Sequence, residues 1–448
     1  MKKYLTFFSL LITIVSNTHG QSNSIRIYNS IEDALKDSML VRKLSLRGSN
    51  MEKLPIGVLK LTNLEDIDLE ANPNLNINEA LGLLSRLTHL RKLWISDNKV
   101  PDLRNIYKLK SLEELDLDNV EISVLPIELS QLKRLKEVNL DENPNLNMIQ
   151  VTSVLSKIRS LRVLWLSNNK LSTLPNEILG LKGLEDLWLD DNEFTEIPAP
   201  IKRLKIKYLS LFDNKLQSLD LKRGDLPNLT NINLCYNNFK VFPAIELSRI
   251  PKLDTVTMWY ANIQYVPKEI VDIKNLRVLN LQNNFISQLP VQIAELKHLS
   301  VLELAGNNLT EDGIKCVYQQ KNLTKLDLDG NRIKNVPTEI GNLNDLTDLS
   351  LCENPLSDIP QSISGLQKLQ KVQLGYYDAF DWAGAVSILQ KLRQLKYVGL
   401  FKMKLARMPE GLEKLTSVQE FWMNWNIFDD HEEERIRQML PKAKFKFE

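Results

Sequence analysis

The chain runs to 448 residues with only three cysteines, Cys235, Cys316 and Cys352, and four histidines. Disulfide-built scaffolds and zinc sites need more such residues at closer spacing, so packing must hold this fold. Beyond residue 20 the histidines are His89, His298 and His431, none with a second histidine or cysteine at metal-ligand distance along the chain. Glycine is sparse, at 16 residues, and none of it falls in a nucleophile elbow, a phosphate-binding loop or a dinucleotide fingerprint. Net charge is also lacking. At +1 with 25% charged residues, nothing draws the whole molecule to nucleic acid or an anionic membrane. No long apolar run follows residue 20, so the mature chain is expected to have no transmembrane segment. These absences leave no catalytic residue, metal ligand or cofactor site to nominate, and the expected function is non-enzymatic.

The first twenty residues read differently from the rest. Lys2 and Lys3 precede an apolar run from Tyr4 to Val15, and Thr18-His19-Gly20 places small residues before a cut ahead of Gln21. That is the layout of a secretory signal peptide, too short in its apolar part to span a bilayer comfortably. No cysteine stands near the cut to carry a lipid anchor. The expected location is secreted or periplasmic.

What is abundant is leucine at fixed spacing. From Val41 onward the chain repeats L-x-x-L-x-L-x-x-N-x-L in about seventeen units of 22 to 26 residues, for example Leu276, Leu279, Leu281, Asn284 and Ile286. Numbered from 1 at Val41, the units start at Leu64, Leu90, Leu112, Leu135, Leu161, Leu184, Ile206, Leu229, Leu253, Leu276, Leu299, Leu323, Leu346, Leu369, Leu395 and Val418. Two leucines two apart face one side of an extended strand, and the residues between them face the other. Each unit therefore predicts one short strand, and seventeen strands predict a parallel sheet roughly 77 Å long. The asparagine stands where the chain leaves the strand, and its amide can satisfy buried backbone groups there. Twelve units keep it; Ser49, Val120, Ala261, Tyr377 and Met403 replace it in the others.

An apolar residue followed by proline closes the pattern, as in Leu54-Pro55, Leu174-Pro175, Ile197-Pro198 and Val336-Pro337. The units from Leu64, Leu135 and Leu369 have 26 residues and predict a fuller helix, such as Glu79 to Leu87. Residues 21–40 read as an N-terminal helical cap in which Ser30-Ile31-Glu32-Asp33 opens a short helix, and residues 41–428 as the repeat array. Residues 429–448 read as a C-terminal cap: a charged helix from Asp429 to Leu440, then Ala443, Phe445 and Phe447 alternating with Lys442, Lys444 and Lys446 as a last half-buried strand.

This wording resembles the leucine-rich repeat family, and its L-P-x-x-I-x-x-L segment the class with roughly 23 residues per repeat. The resemblance covers nearly all of the mature chain. It implies an α/β fold, a curved right-handed solenoid with a continuous parallel β-sheet on the concave face and short helices or irregular turns on the convex side. Secreted members from animals and plants generally close their ends with paired-cysteine caps, which this chain lacks, so the resemblance points to a bacterial secreted type. Cys235 and Cys352 occupy equivalent places five repeats apart, on the order of 24 Å, and all three cysteines are expected to be free.

A repeated fold puts its specificity in the variable positions of the strand segments. Six of the seven tryptophans lie there: Trp94, Trp165, Trp188, Trp259, Trp422 and Trp425. A central aromatic group, Trp165, Trp188, Tyr208, Phe212, Tyr236, Trp259 and Tyr260, spans five consecutive repeats; a distal group comprises Tyr376, Tyr397, Phe401, Trp422 and Trp425. Acids recur on the same face, among them Glu65, Asp66, Asp68 and Glu70, Glu113, Glu114, Asp116 and Asp118, and Glu185, Asp186, Asp190 and Asp191. Rings of this kind either pack on one another or meet a partner, and such acids either pair across strands or attract a basic ligand. The candidate partner-binding residues are Trp94, Trp165, Trp188, Tyr208, Phe212, Tyr236, Trp259, Tyr260, Glu185, Asp186 and Asp190. The expected ligand is a protein or peptide, with a glycan stacked on the tryptophans as the alternative; the acidic face disfavours nucleic acid.

Overall fold

A computed structural model of the chain describes residues 26–101, 103–375 and 380–447. Residues 1–20, read from the sequence as a signal peptide, and Tyr376 and Tyr377 lie outside the described residues. The described chain forms a solenoid whose 19 strands pair in parallel, each with the strands of the units before and after it, in one unclosed sheet. Seventeen strands come from the seventeen repeats, from Lys43–Ser45 to Glu420–Trp422. The other two extend the sheet at its ends. Lys444–Lys446 pairs with Glu420–Trp422 as its alternation suggests, whereas Ile27–Tyr28, which pairs with Lys43–Leu44, is too short to show a period in the sequence.

The leucines of every repeat face inward and are essentially fully buried, as at Leu187, Leu189, Leu279 and Leu281. Opposite the sheet the chain makes short helices, mostly five-residue 3-10 turns that start after the proline. Proline has no amide hydrogen, yet its carbonyl is free to accept one, as Pro55 does from Val58 at 3.1 Å. The 26-residue units have room for full α-helices, Ile77–Leu84, Met148–Leu155 and Trp382–Leu389. Their starts are fixed by Asn76, Asn147 and Asp381, whose side chains each accept an amide hydrogen three residues on. The first helix thus begins two residues ahead of Glu79 and ends at Leu84 rather than Leu87.

The asparagines form a ladder. Asn284 Nδ2 donates to the carbonyls of Met258 in the preceding repeat and of Leu281 and Gln282 in its own, while its Oδ1 accepts from Ala261 and Ile263 amides. Each rung serves two repeats, and that explains how the ladder tolerates gaps. Where Val120, Ala261 or Met403 replaces the amide, the next asparagine still reaches the carbonyl of Leu117, Met258 or Leu400.

Both ends are covered. Ser30 caps the helix Ile31–Lys36, which buries Ile31 and Ala34 against the first repeat. At the other end Asp429 caps the helix Asp430–Met439, and Phe445 stacks on Phe421 with ring centroids 5.5 Å apart. The three cysteines are buried and free.

Candidate functional site

The variable residues of each strand line the sheet face opposite the leucines. Just after the strand the chain turns through one residue of left-handed conformation. In all sixteen repeats described there this residue has positive φ, whether glycine (Gly306, +67°), an acid (Asp191, 53°; Asp213, 47°) or an aromatic (Tyr236, 54°; Tyr260, 52°). Bulky residues rarely adopt this backbone, so the two tyrosines carry a conformational cost that the surrounding repeats impose. The result is a straight rim along one edge of the face, with one side chain per repeat.

The central aromatic residues gather in two contacting sets. Trp188 lies 4.6 Å from Tyr208, and Phe212, Tyr236, Trp259 and Tyr260 form a continuous cluster with centroids 4.9–5.8 Å apart. Trp165 is half-buried on the strand beside Trp188 but belongs to neither set. These rings do not simply stand in solvent. Ser210, Asn233 and Cys235 occupy inner-face positions on the same repeats and are buried, as are Ser96, Ser350 and Cys352 elsewhere along the face. A polar chain joins these repeats: Asn233 Nδ2 donates to Ser210 Oγ at 3.0 Å, and Ser210 Oγ donates to Asp190, which also accepts the Phe212 amide. Serine in the repeat from Ile206, and asparagine and cysteine in the repeat from Leu229, leave room beside the larger rings of these repeats. Tyr260 remains 46% exposed at the edge.

Three tryptophans elsewhere on the face are engaged by charged neighbours. Trp94 donates its indole hydrogen to Glu114 at 3.0 Å and has Lys92 beside its ring. In the distal group Lys371 and Lys446 lie 4.4 and 5.0 Å from the Trp422 ring, Lys402 lies 5.2 Å from Trp425, and the Trp422 indole donates to Glu420. Among the described residues no lysine or arginine sits over Trp188, Tyr208, Trp259 or Tyr260.

The acids divide in the same way. Glu65, Asp66 and Glu70 pair with Arg42, Lys43 and Arg47 on the preceding strand; Glu113 is held by Arg91, Arg134 and Lys136, and Glu185 by Lys207 at 2.7 Å and Arg162 at 3.7 Å. Cross-strand pairing accounts for these rows. Asp186, Asp190, Asp191 and Asp213 have no such cation within 4 Å among the described residues. Burial holds Asp190 up at about 7 and, with Asp213 alongside, Asp191 at about 6. Further along the face burial, with Glu142 and Asp116 next, lifts Asp118 to about 7; its Oδ1 is buried without a hydrogen-bond partner.

These shifts fix a pH dependence. A carboxyl whose folded pKa is raised destabilises the fold when ionised: the penalty is absent below the unfolded value of about 4 and complete above the folded one. Glu113 and Glu432, held at about 2 chiefly by hydrogen bonds from Arg91 and Arg435, act oppositely, and their stabilisation is lost only as pH falls below about 4. The melting temperature should rise by about 3 °C or more from pH 8 to pH 5, then fall below about pH 4. A melting temperature that climbs from pH 5 to pH 8 would contradict this assignment.

Among the described residues no group of three or more histidine, cysteine, aspartate or glutamate side chains could hold a metal ion, and no helix is long and apolar enough to cross a membrane. The sequence pointed to the ring positions and to the acids. It did not reveal the polar chain of Asn233, Ser210 and Asp190, although small polar residues at one inner-face position of neighbouring repeats, Ser210 and Asn233, are its signal.

A family model described as leucine-rich repeat region matches residues 28–232 and 300–444, and a single-repeat model matches residues 275–296. The volume-regulated anion channel subunit LRRC8A of Mus musculus is 30% identical over 271 residues, which are 55% of this chain and 31% of that protein. The subunit LRRC8E of Xenopus laevis is 35% identical over 137 residues, 28% of this chain and 17% of that protein. The chain therefore spans less than a third of the length of these relatives. A solved structure of a leucine-rich repeat protein of Leptospira interrogans superposes with a TM-score of 0.65 at 31% identity, covering 94% of this chain and 100% of that one.

Proposed function

The chain belongs to the leucine-rich repeat family, and from that premise we propose that it is a non-enzymatic, secreted or periplasmic binding protein that takes a protein or peptide partner along the concave face of repeats 7 to 10. The observation that carries this reading is the contrast within one face. Trp94, Trp422 and Trp425 are engaged by cations and carboxylates of the chain, whereas among the described residues no cation lies over Trp188, Tyr208, Trp259 or Tyr260, and Asp186, Asp190, Asp191 and Asp213 on the same repeats have no ion-pair partner. Contiguous half-exposed aromatic residues are unfavourable in water and are the residue types that dominate interface energetics. The reading of residues 1–20 as a signal peptide and the roughly 23-residue L-P-x-x-I repeat class support a bacterial exported protein. A glycan is the second reading, favoured by flat tryptophan rings next to Asp186 and Asp191.

The test is capture from cell surfaces with the wild-type chain and with Trp259→Ala side by side, run with a glycan array. A protein retained by the wild type and lost by the variant, with an empty array, supports the reading; array binding lost on Trp259→Ala replaces protein by glycan, and equal capture by both chains overturns the choice of face. The exported chain should begin at or near Gln21. An intact Met1 on cytosolic protein would refute export.

A further inference from the structure

The rim of left-handed turns carries Asp191, Asp213, Tyr236 and Tyr260 on four successive repeats, spanning about 14 Å at ~4.8 Å per strand. The two carboxyl groups stand on adjacent repeats of the rim, where Asp213 helps to raise the Asp191 carboxyl, and the two phenol rings are 4.9 Å apart. Lys215, the lysine nearest in sequence, is engaged with Glu193 at 3.6 Å. Asp186 and Asp190 are further acids on the inner side of the row, again without an ion-pair partner among the described residues. Trp259 stands edge-on to Tyr236 and Tyr260 at 5.0 and 5.6 Å, which ties the rim to the aromatic cluster of the face.

A side chain that fits this place must offer positive charge at one end of the row and a flat or apolar surface at the other. A guanidinium does both: it forks onto a pair of carboxylates and stacks on aromatic faces, whereas an ammonium offers only the charge. We propose that repeats 7 to 10 bind an extended, arginine-bearing segment of a partner protein, with the arginine on Asp191 and Asp213 and its stem and neighbouring residues on Tyr236, Tyr260 and Trp259. This deepens the proposed function and rests on it. Neutral and acidic segments would leave the carboxylate pair desolvated against itself, so the face discriminates against them as well as attracting basic ones.

The probe is a fluorescent nine-residue peptide alternating serine and arginine, compared with one in which glutamine replaces each arginine, titrated against the folded full chain. Asn replaces Asp in the test because asparagine tolerates the left-handed backbone that both positions require. Asp191→Asn/Asp213→Asn should weaken arginine-peptide binding about tenfold or more, and Tyr260→Ala about threefold or more. Asp97→Asn/Glu142→Gln removes two charges from the same rim where no tyrosine follows, and should change binding by less than about twofold. Equal binding of the glutamine peptide overturns the proposal because the positive charge then plays no part, and an equal loss in the Asp97/Glu142 control overturns it as nonspecific charge attraction. A captured partner that depends on Trp259 but not on Asp191 and Asp213 would overturn it while leaving the concave-face reading intact.

Discussion

Asn284→Ala should lower stability by about 3 kcal/mol or more, among the largest single-residue losses expected in the array. The reason is the gap next to it. Asn284 Nδ2 is the side-chain donor to the Met258 carbonyl, because Ala261 has no side-chain amide to share that role, and Asn284 Oδ1 takes the backbone amides of Ala261 and Ile263. Truncation strands three buried backbone groups at about 1–3 kcal/mol each, partly offset by relaxation. The Leu281 carbonyl is spared, since Asn307 also donates to it. Chemical denaturation of the variant checks the expectation. A loss below about 1 kcal/mol would mean that water or backbone movement replaces the rung and that the ladder is not what holds the turn.

The same periodicity that made this ladder legible made most of the fold legible. Seventeen strands, the proline turns, the helix after Ser30 and the closing strand at Lys444–Lys446 all follow from spacing, because each unit reuses one solution to the same burial problem. What spacing could not give was anything decided between units. The opening strand Ile27–Tyr28 has two residues and no period, and pairs only because the first repeat offers an edge. The division of the acids was also hidden. Glu185 and Asp191 lie in one run of acids, but Glu185 meets Lys207 and Arg162 across strands while Asp191 meets Asp213 on the rim. Likewise Trp94, Trp165 and Trp188 share one inner-face position, and only their neighbours separate an indole bound to Glu114 from a ring packed on Tyr208.

Trp188 and Leu187 are neighbours in one strand and face opposite sides of the sheet, which makes them the sharpest pair for the central claim that this protein acts through its concave aromatic face. Leu187 is fully buried, and Leu187→Ala should cost roughly 2–5 kcal/mol of stability while the folded fraction binds normally. The Trp188 ring is half-buried and packs on Tyr208 at 4.6 Å, an interaction worth about 0.5–1.5 kcal/mol. Its removal should therefore shift melting little. Binding of the captured partner should fall about thirtyfold or more, the loss typical of a hot-spot tryptophan at ~2 kcal/mol. The measurement is partner affinity and melting temperature for Trp188→Ala beside Leu187→Ala. Weakened binding with near-normal melting for Trp188→Ala, and the reverse for Leu187→Ala, is the result predicted; unchanged affinity with lowered melting for Trp188→Ala would make the ring structural and contradict the account.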